Sequence, residues 1–113
     1  MERPQARLSA ERASAVARLG ALEREFTGLV ESAQQANTDD EHDPEGATHA
    51  FERQHIAALI SQTRERIAAI DAALARFADG RYGACERCGQ PIGADRLAAR
   101  PAASTCLACA ASR

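Results

Sequence analysis

Four cysteines, all within the last 29 residues, are the side chains of this sequence best suited to chemistry. They form two C-x2-C pairs separated by seventeen residues: Cys85 with Cys88, and Cys106 with Cys109. Two residues between thiolates let one turn present both sulfurs to a single ion, and two such turns complete a tetrahedron. Four soft ligands in that geometry select Zn²⁺ and leave no coordination position open for a substrate. The spacing therefore predicts one structural Zn²⁺ per chain.

Two other uses of the same cysteines are compatible with their spacing, a thiol redox switch and an iron–sulfur site. Disulfides are rare in a cytosol that keeps thiols reduced, which favours a metal site over a disulfide framework. The large apolar residues of this segment are few: Tyr82, Ile92, Leu97 and Leu107. Metal binding should therefore supply a substantial part of its folding free energy.

A second group of chemically capable residues is a cluster of carboxylates in the middle of the chain. Five of them fall within seven residues: Asp39, Asp40, Glu41, Asp43 and Glu45. One interpretation is a solubilising loop, in which Asp43 caps a helix and Glu45 complements the helix dipole. The other is a carboxylate cluster that is delivered to a distant cationic or metal-bearing site. A solvated loop offers no pocket to tune the pKa values of these groups, so an enzyme is not expected.

Two long amphipathic helices are predicted to position these groups. Apolar residues of the first helix, residues 8–36, recur at spacings of four and three: Ala15, Leu19, Leu22, Phe26, Leu29, Ala33 and Ala36. The second helix, residues 44–79, repeats the pattern with one polar member: Ile56, Ile60, Thr63, Ile67, Ile70, Leu74 and Phe77. Two heptad seams joined by a short loop predict an antiparallel coiled-coil hairpin. Packing of each stripe in a small bundle is the alternative.

Local signals set the boundaries of this hairpin. Asp43 suits a helix N-cap, Pro44 suits the first helical position, and Gly80 suits the end of the second helix. Glycines and prolines punctuate the remainder, whose final residues should begin a short helix capped by Ser104 or Thr105. The predicted fold is mainly α, with a hairpin over 1–79 (tip at about 37–46) and a small zinc-finger domain over 80–113.

Composition excludes several classes of function. The net charge is −2, from 14 basic and 16 acidic residues, and the long helices are charge-balanced. No helix carries a basic stripe for a DNA groove, so direct DNA binding is not expected. The sequence has neither an apolar run of membrane-spanning length nor an apolar N-terminal region, which predicts a cytoplasmic protein without a membrane partner.

The combined motifs resemble the DksA/TraR family. The resemblance is carried by G-R-Y-G-A-C-E-R-C-G-Q-P-I from residue 80, R-L-A-A-R-P from residue 96, the last C-x2-C pair and an acidic tip with Asp43–Pro44. It implies direct binding to bacterial RNA polymerase, with an architecture similar to that of the Gre factors. The hairpin would enter the secondary channel, so that tip carboxylates approach the catalytic Mg²⁺ region and alter open-complex stability.

This sequence departs from the family pattern at two places. The family tip motif is D-x-x-D-x-A, whereas here Asp43 is kept, Gly46 replaces the second Asp, and Thr48 replaces the Ala. The resemblance makes Arg96 and Arg100 candidate contacts for polymerase or for the alarmone ppGpp. The remaining basic alarmone positions align with alanines, Ala69 and Ala110.

Two rival functions remain open at this stage. One is a zinc-ribbon adaptor whose coiled coil pairs with a partner helix. The other is a thiol-based redox sensor that uses the four cysteines.

Overall fold

Four helices account for most of the residues that the structure describes. The structure is a computed structural model that describes residues 3–36 and 44–112, with side chains described for 3–35 and 48–112. Helix α1 spans Pro4–Ala36 and α2 spans Pro44–Ala78, followed by the short helices α3, Ala94–Ala99, and α4, Leu107–Ala111. The predicted start of α1 at residue 8 is wrong by one turn. Proline at a first helical position has a preset φ and lacks only an N–H that the helix does not use there.

Both predicted heptad seams are buried or half-buried at the members whose side chains are described. On α1, Ala15 and Leu22 are buried, and four other seam members are half-buried: Leu19, Phe26, Leu29 and Ala33. On α2, Ile56, Ile60, Thr63 and Ile70 are buried, and Ile67, Leu74 and Phe77 are half-buried. The other faces of the described helices are mainly exposed, and none of these helices carries an apolar stretch long enough to cross a membrane.

The chain divides into two compact units, of which one comprises residues 15–65. Its core is Leu22 packed with Ile56 and Ile60. Thr63 is buried in the α2 seam, and its hydroxyl donates to the Leu59 carbonyl oxygen at 2.7 Å. This bond within the helix satisfies the hydroxyl, which explains how a polar residue is tolerated at a seam position.

The other unit joins the residues before 15 to those after 65. Its core is formed by Leu8, Ile70 and Ala73, and three partly buried residues pack against it: Leu74, Tyr82 and Ala102. The two long helices pair in antiparallel order within each unit, because early α1 residues meet late α2 residues. The mainly α hairpin with a C-terminal four-cysteine cluster confirms the predicted fold class.

Arg12 occupies the one position where the α1 seam carries a charge. Its guanidinium donates to both carboxylate oxygens of Asp71 on α2. The pKa of the Asp71 carboxyl is lowered by this hydrogen bond. Both side chains are about half exposed, so solvent screens the attraction between them. At this seam position an ion pair thus takes the place of the apolar contact that the heptad pattern calls for.

Candidate metal centre

A helix stop places the first cysteine pair at the end of α2. The Gly80 N–H donates to the Phe77 carbonyl and the Arg81 N–H donates to the Arg76 carbonyl. These two bonds form a Schellman motif, which requires the left-handed φ of +74° that Gly80 adopts. The predicted stop is confirmed, and the chain turns directly into the cysteine-bearing segment.

A tight backbone turn holds Cys85 and Cys88. The chain segments on either side of this turn meet at an isolated antiparallel bridge between Ala84 and Pro91. The Cys85 N–H donates to the Gln90 carbonyl at 2.8 Å, and the Gly89 N–H donates to the Cys85 carbonyl at 2.8 Å. Gly89 has a φ of +77°, a conformation that a residue with a Cβ rarely adopts. The turn thus holds the Sγ atoms of Cys85 and Cys88 within 4.8 Å of each other.

The second pair lies at the start of α4. Cys106 is the N-cap residue, in an extended conformation, and Cys109 falls within the short helix. The prediction that Ser104 or Thr105 caps this helix is wrong, and no side-chain capping bond is present there. The carbonyls of both residues are engaged elsewhere: Ser104 accepts from the Glu86 N–H and Thr105 accepts from the Arg96 Nε, each at 2.9 Å.

The four sulfurs converge on one point. All four Sγ atoms lie within 4.8 Å of one another, and the Sγ atoms of Cys88 and Cys106 are 3.8 Å apart. Tetrahedral coordination with Zn–S bonds of about 2.3 Å requires sulfurs about 3.8 Å apart. Cys85 is buried, Cys88 is exposed, and Cys106 and Cys109 are half-buried. The cluster therefore fits one tetrahedral metal ion.

Backbone N–H groups and crowding act in opposite directions on the thiols. The Cys106 backbone N–H is the main cause that lowers the pKa of Cys85 to about 6. The backbone N–H of Cys109 similarly lowers the pKa of Cys106. The Cys109 thiol donates to the neighbouring sulfurs, that of Cys106 first, which favours its protonated form and raises the pKa of Cys109 to about 12. Four thiolates this close repel one another, and the positive charge of a bound divalent cation offsets that repulsion, so that its thiol ligands are deprotonated.

The other residues singled out from the sequence lie elsewhere. Four of the tip carboxylates fall outside the described residues: Asp39, Asp40, Glu41 and Asp43. Glu45 belongs to α2 by its backbone, and its side chain is not described. Arg96 turns inward to the Thr105 carbonyl, whereas Arg100 is exposed. Their assignment to polymerase or alarmone contacts stays a prediction.

Sequence reasoning missed three side-chain donors to backbone carbonyls that lie between the two cysteine pairs. The Tyr82 hydroxyl donates to the Pro101 carbonyl at 2.8 Å, and Arg7 Nη1 donates to the Ala98 carbonyl at 2.6 Å. Arg76, buried in the last turn of α2, donates to the Ala103 carbonyl. Arg76 lies between the seam positions Leu74 and Phe77, so the heptad pattern contains no signal for it.

Comparison with known proteins supports the metal assignment. Residues 80–113 match the family model described as "Prokaryotic dksA/traR C4-type zinc finger". The "RNA polymerase-binding transcription factor DksA" of Caulobacter vibrioides is 53% identical over 51 residues, which cover 42% of this chain and 36% of that protein. The "Uncharacterized protein YteA" of Bacillus subtilis is 38% identical over 66 residues, 58% of this chain and 28% of that protein. The matches thus span about a third of the curated relatives' length.

A solved structure extends the likeness beyond the zinc finger. Transcription factor DksA2 from Pseudomonas aeruginosa is 26% identical and superposes with a TM-score of 0.56. The superposition covers 94% of this chain and 81% of the DksA2 chain. The four-cysteine centre, the C4-type family match and the hairpin together identify the fold and its metal. Residues 80–113 therefore form a zinc finger of the dksA/traR C4 type, in a chain whose fold is similar to that of DksA2.

Proposed function

We propose that this protein is a transcription regulator that binds bacterial RNA polymerase through the secondary channel. The observation that carries the proposal is the fold likeness to a DksA2 transcription factor over 94% of the chain. A relative named as an RNA polymerase-binding transcription factor shares 53% of residues in its matched segment, which supports the same partner.

The proposed division of labour follows the sequence. The hairpin over residues 1–79 enters the channel, and the finger over 80–113 docks outside it. Cys85, Cys88, Cys106 and Cys109 hold one Zn²⁺, which fixes the finger and performs no catalysis. Residues 80–112 carry four arginines against two acids, so an acidic surface on polymerase would complement the finger.

The carboxylates of the tip, residues 37–46, are the proposed effectors. They would approach the catalytic Mg²⁺ region of polymerase and change the stability of the open complex. Asp43 retains the first acidic position of the family motif, and Asp39 and Asp40 would supply the charge that Gly46 does not.

The test separates binding from regulation by removing charge at the tip. Asn caps helices about as well as Asp, so Asp43→Asn preserves a structural cap while removing the charge. The variant that combines it with Asp39→Asn and Asp40→Asn should bind polymerase as the parent does. It should nevertheless lose most of its effect on open-complex lifetime at a ribosomal RNA promoter.

A matched control removes three charges from exposed positions of the helices, with Glu25→Gln, Glu31→Gln and Glu65→Gln in one variant. This control should regulate like the parent protein. If the tip variant regulates like the parent, the acidic cluster is only a solvated loop and the proposed mechanism is wrong. If the parent does not bind core polymerase, the adaptor function becomes the better account.

A further inference from the structure

The segment that delivers the second cysteine pair is held largely by donors from other parts of the chain. This connector, residues 100–105, runs from the end of α3 to Cys106. Four of its carbonyl oxygens accept hydrogen bonds from such donors. Pro101 accepts from the Tyr82 hydroxyl, and Ala103 accepts from Arg76. Ser104 accepts from the Glu86 N–H, and Thr105 accepts from Arg96. The position of Cys106 therefore depends on groups that are distant in sequence.

Arg76 is the member of this set that lies on α2. Only 7% of its surface is exposed. Its Nη2 donates to the Ala103 carbonyl at 3.4 Å, and its Nη1 lies 3.9 Å from a Glu86 carboxylate oxygen. Glu86 sits between Cys85 and Cys88. One buried guanidinium thus contacts both segments that carry the cysteine pairs.

The energetics of burial make this contact sensitive to geometry. A buried guanidinium is costly unless it is paired and hydrogen-bonded. Among the described residues, the buried Nε of Arg76 has no hydrogen-bond partner. The two Nη contacts must therefore offset the cost of burying the charge. Displacing either the connector or the Glu86 turn would leave the charge still less satisfied. Arg76 therefore favours the one arrangement in which both cysteine pairs face each other.

We propose that Arg76 is a positioning residue of the zinc site. It holds the connector against the first cysteine turn, so that Cys106 and Cys109 face the first cysteine pair across the ion. Arg76 lies outside residues 80–113, the segment that matches the zinc finger family. The affinity of the finger for zinc is thus set in part by a side chain of the coiled coil.

The expected effect has a known scale. Partners that orient metal ligands without touching the metal change affinity by about 10- to 100-fold when they are removed. Arg76→Met retains an unbranched, apolar side chain and removes the buried charge, and it leaves no buried charge unpaired because its partner Glu86 is 55% exposed. Zinc affinity should therefore fall by about 10-fold or more while the helices remain folded.

The experiment uses the zinc-loaded full chain and a chromophoric chelator. Competition gives the affinity for zinc, and excess chelator gives the rate of zinc release. The matched control is Arg64→Met, because Arg64 is an exposed arginine of α2 that pairs with Glu23 at 3.3 Å in the other compact unit. The control should bind and release zinc like the parent, whereas Arg76→Met should bind weakly and release it quickly.

A second measurement separates positioning from a general contribution to stability. Thermal unfolding of the metal-free proteins should be similar for the parent and Arg76→Met, since the proposal concerns the metal-bound arrangement. If Arg76→Met binds zinc as tightly as Arg64→Met, the proposal is overturned.

A conservative variant keeps the proposal testable if Arg76→Met does not fold. Arg76→Lys keeps the charge but has a single ammonium that cannot reach both segments as the guanidinium fork does. It should release zinc faster than the parent does, because the lysine ammonium keeps only one of the two contacts that Arg76 makes. Release at the parent's rate would contradict the role assigned to Arg76.

Discussion

The guanidinium of Arg7 donates to the carbonyl oxygen of Ala98 at 2.6 Å, joining α1 to α3 across 91 residues of sequence. The next residue, Leu8, is fully buried against Ile70 and Ala73 of α2. The first turns of α1 and the zinc finger therefore belong to one compact unit. Metal binding in the finger should therefore stabilise the first turns of α1, at the opposite end of the sequence.

Removal of zinc should loosen the start of α1. We expect Cys106→Ser to lose the ion and to unfold much of residues 81–112, because metal binding is folding free energy in so small a segment. Backbone amides around Leu8 should then exchange with solvent faster, while those around Leu22 and Ile60 keep their protection. Metal analysis combined with hydrogen exchange measures both effects.

Chelation of the unmutated protein provides the second arm of that experiment. It should reproduce the exchange pattern of the variant without any change of sequence. Unchanged protection at Leu8 in both arms would show that the finger and the start of α1 fold independently.

Leu8 should contribute more to stability than any exposed leucine of the chain. Replacing a buried leucine with alanine typically lowers the free energy of unfolding by about 2–5 kcal/mol, since it removes apolar contacts and leaves a cavity. Leu107 is 70% exposed and provides the control. Leu107→Ala should change stability by less than about 0.5 kcal/mol. Urea unfolding of the zinc-loaded proteins measures both, and equal midpoints would mean that Leu8 is not a core residue.

Zinc affinity should fall as pH falls, with a change of slope near pH 6. Only thiolates bind the ion, so each cysteine still protonated in the metal-free protein must release a proton on binding. The pKa of Cys109 is raised to about 12, so its proton is displaced throughout the neutral range. The pKa of Cys85 is lowered to about 6, so Cys85 adds a further proton only below that pH.

Chelator competition between pH 5 and pH 8 tests this dependence, with the pH dependence of the chelator itself subtracted. The plot of log affinity against pH should become steeper below about pH 6, because one more proton is then released per ion bound. A constant slope across that range would mean that Cys85 is not ionised before the metal binds.

The long elements were predictable because their physics is local and repetitive. The recurrence of apolar residues at spacings of four and three, from Ala15 and from Ile56, indicates which face of each helix is buried. Gly80 indicates a left-handed backbone at the end of the second helix. The two C-x2-C pairs likewise record a metal site in their spacing alone. These features need no knowledge of what packs on them.

The connections around the metal were not predictable in this way. Helix α3 has only six residues, too few to show a helical period, and it has no buried residue among its members. The cap of α4 is Cys106 because Ser104 and Thr105 lie in a connector held by distant donors. The burial of Arg76 depends on Ala103 and Glu86, which meet it only after the finger has folded. Such tertiary contacts leave no periodic trace.

The 91-residue separation of Arg7 and Ala98 also bears on the order in which the molecule forms. Contacts between residues near in sequence require less loop-closure entropy and form sooner than distant ones. The unit over 15–65 closes on partners such as Glu23 and Arg64, 41 residues apart, whereas the Arg7 contact at the start of α1 must wait for α3. During synthesis, Leu8 leaves the ribosome long before the finger that completes its surroundings exists. Packing of the first turns of α1 is therefore expected to be a late folding step, which leaves Leu8 exposed in the nascent chain until then.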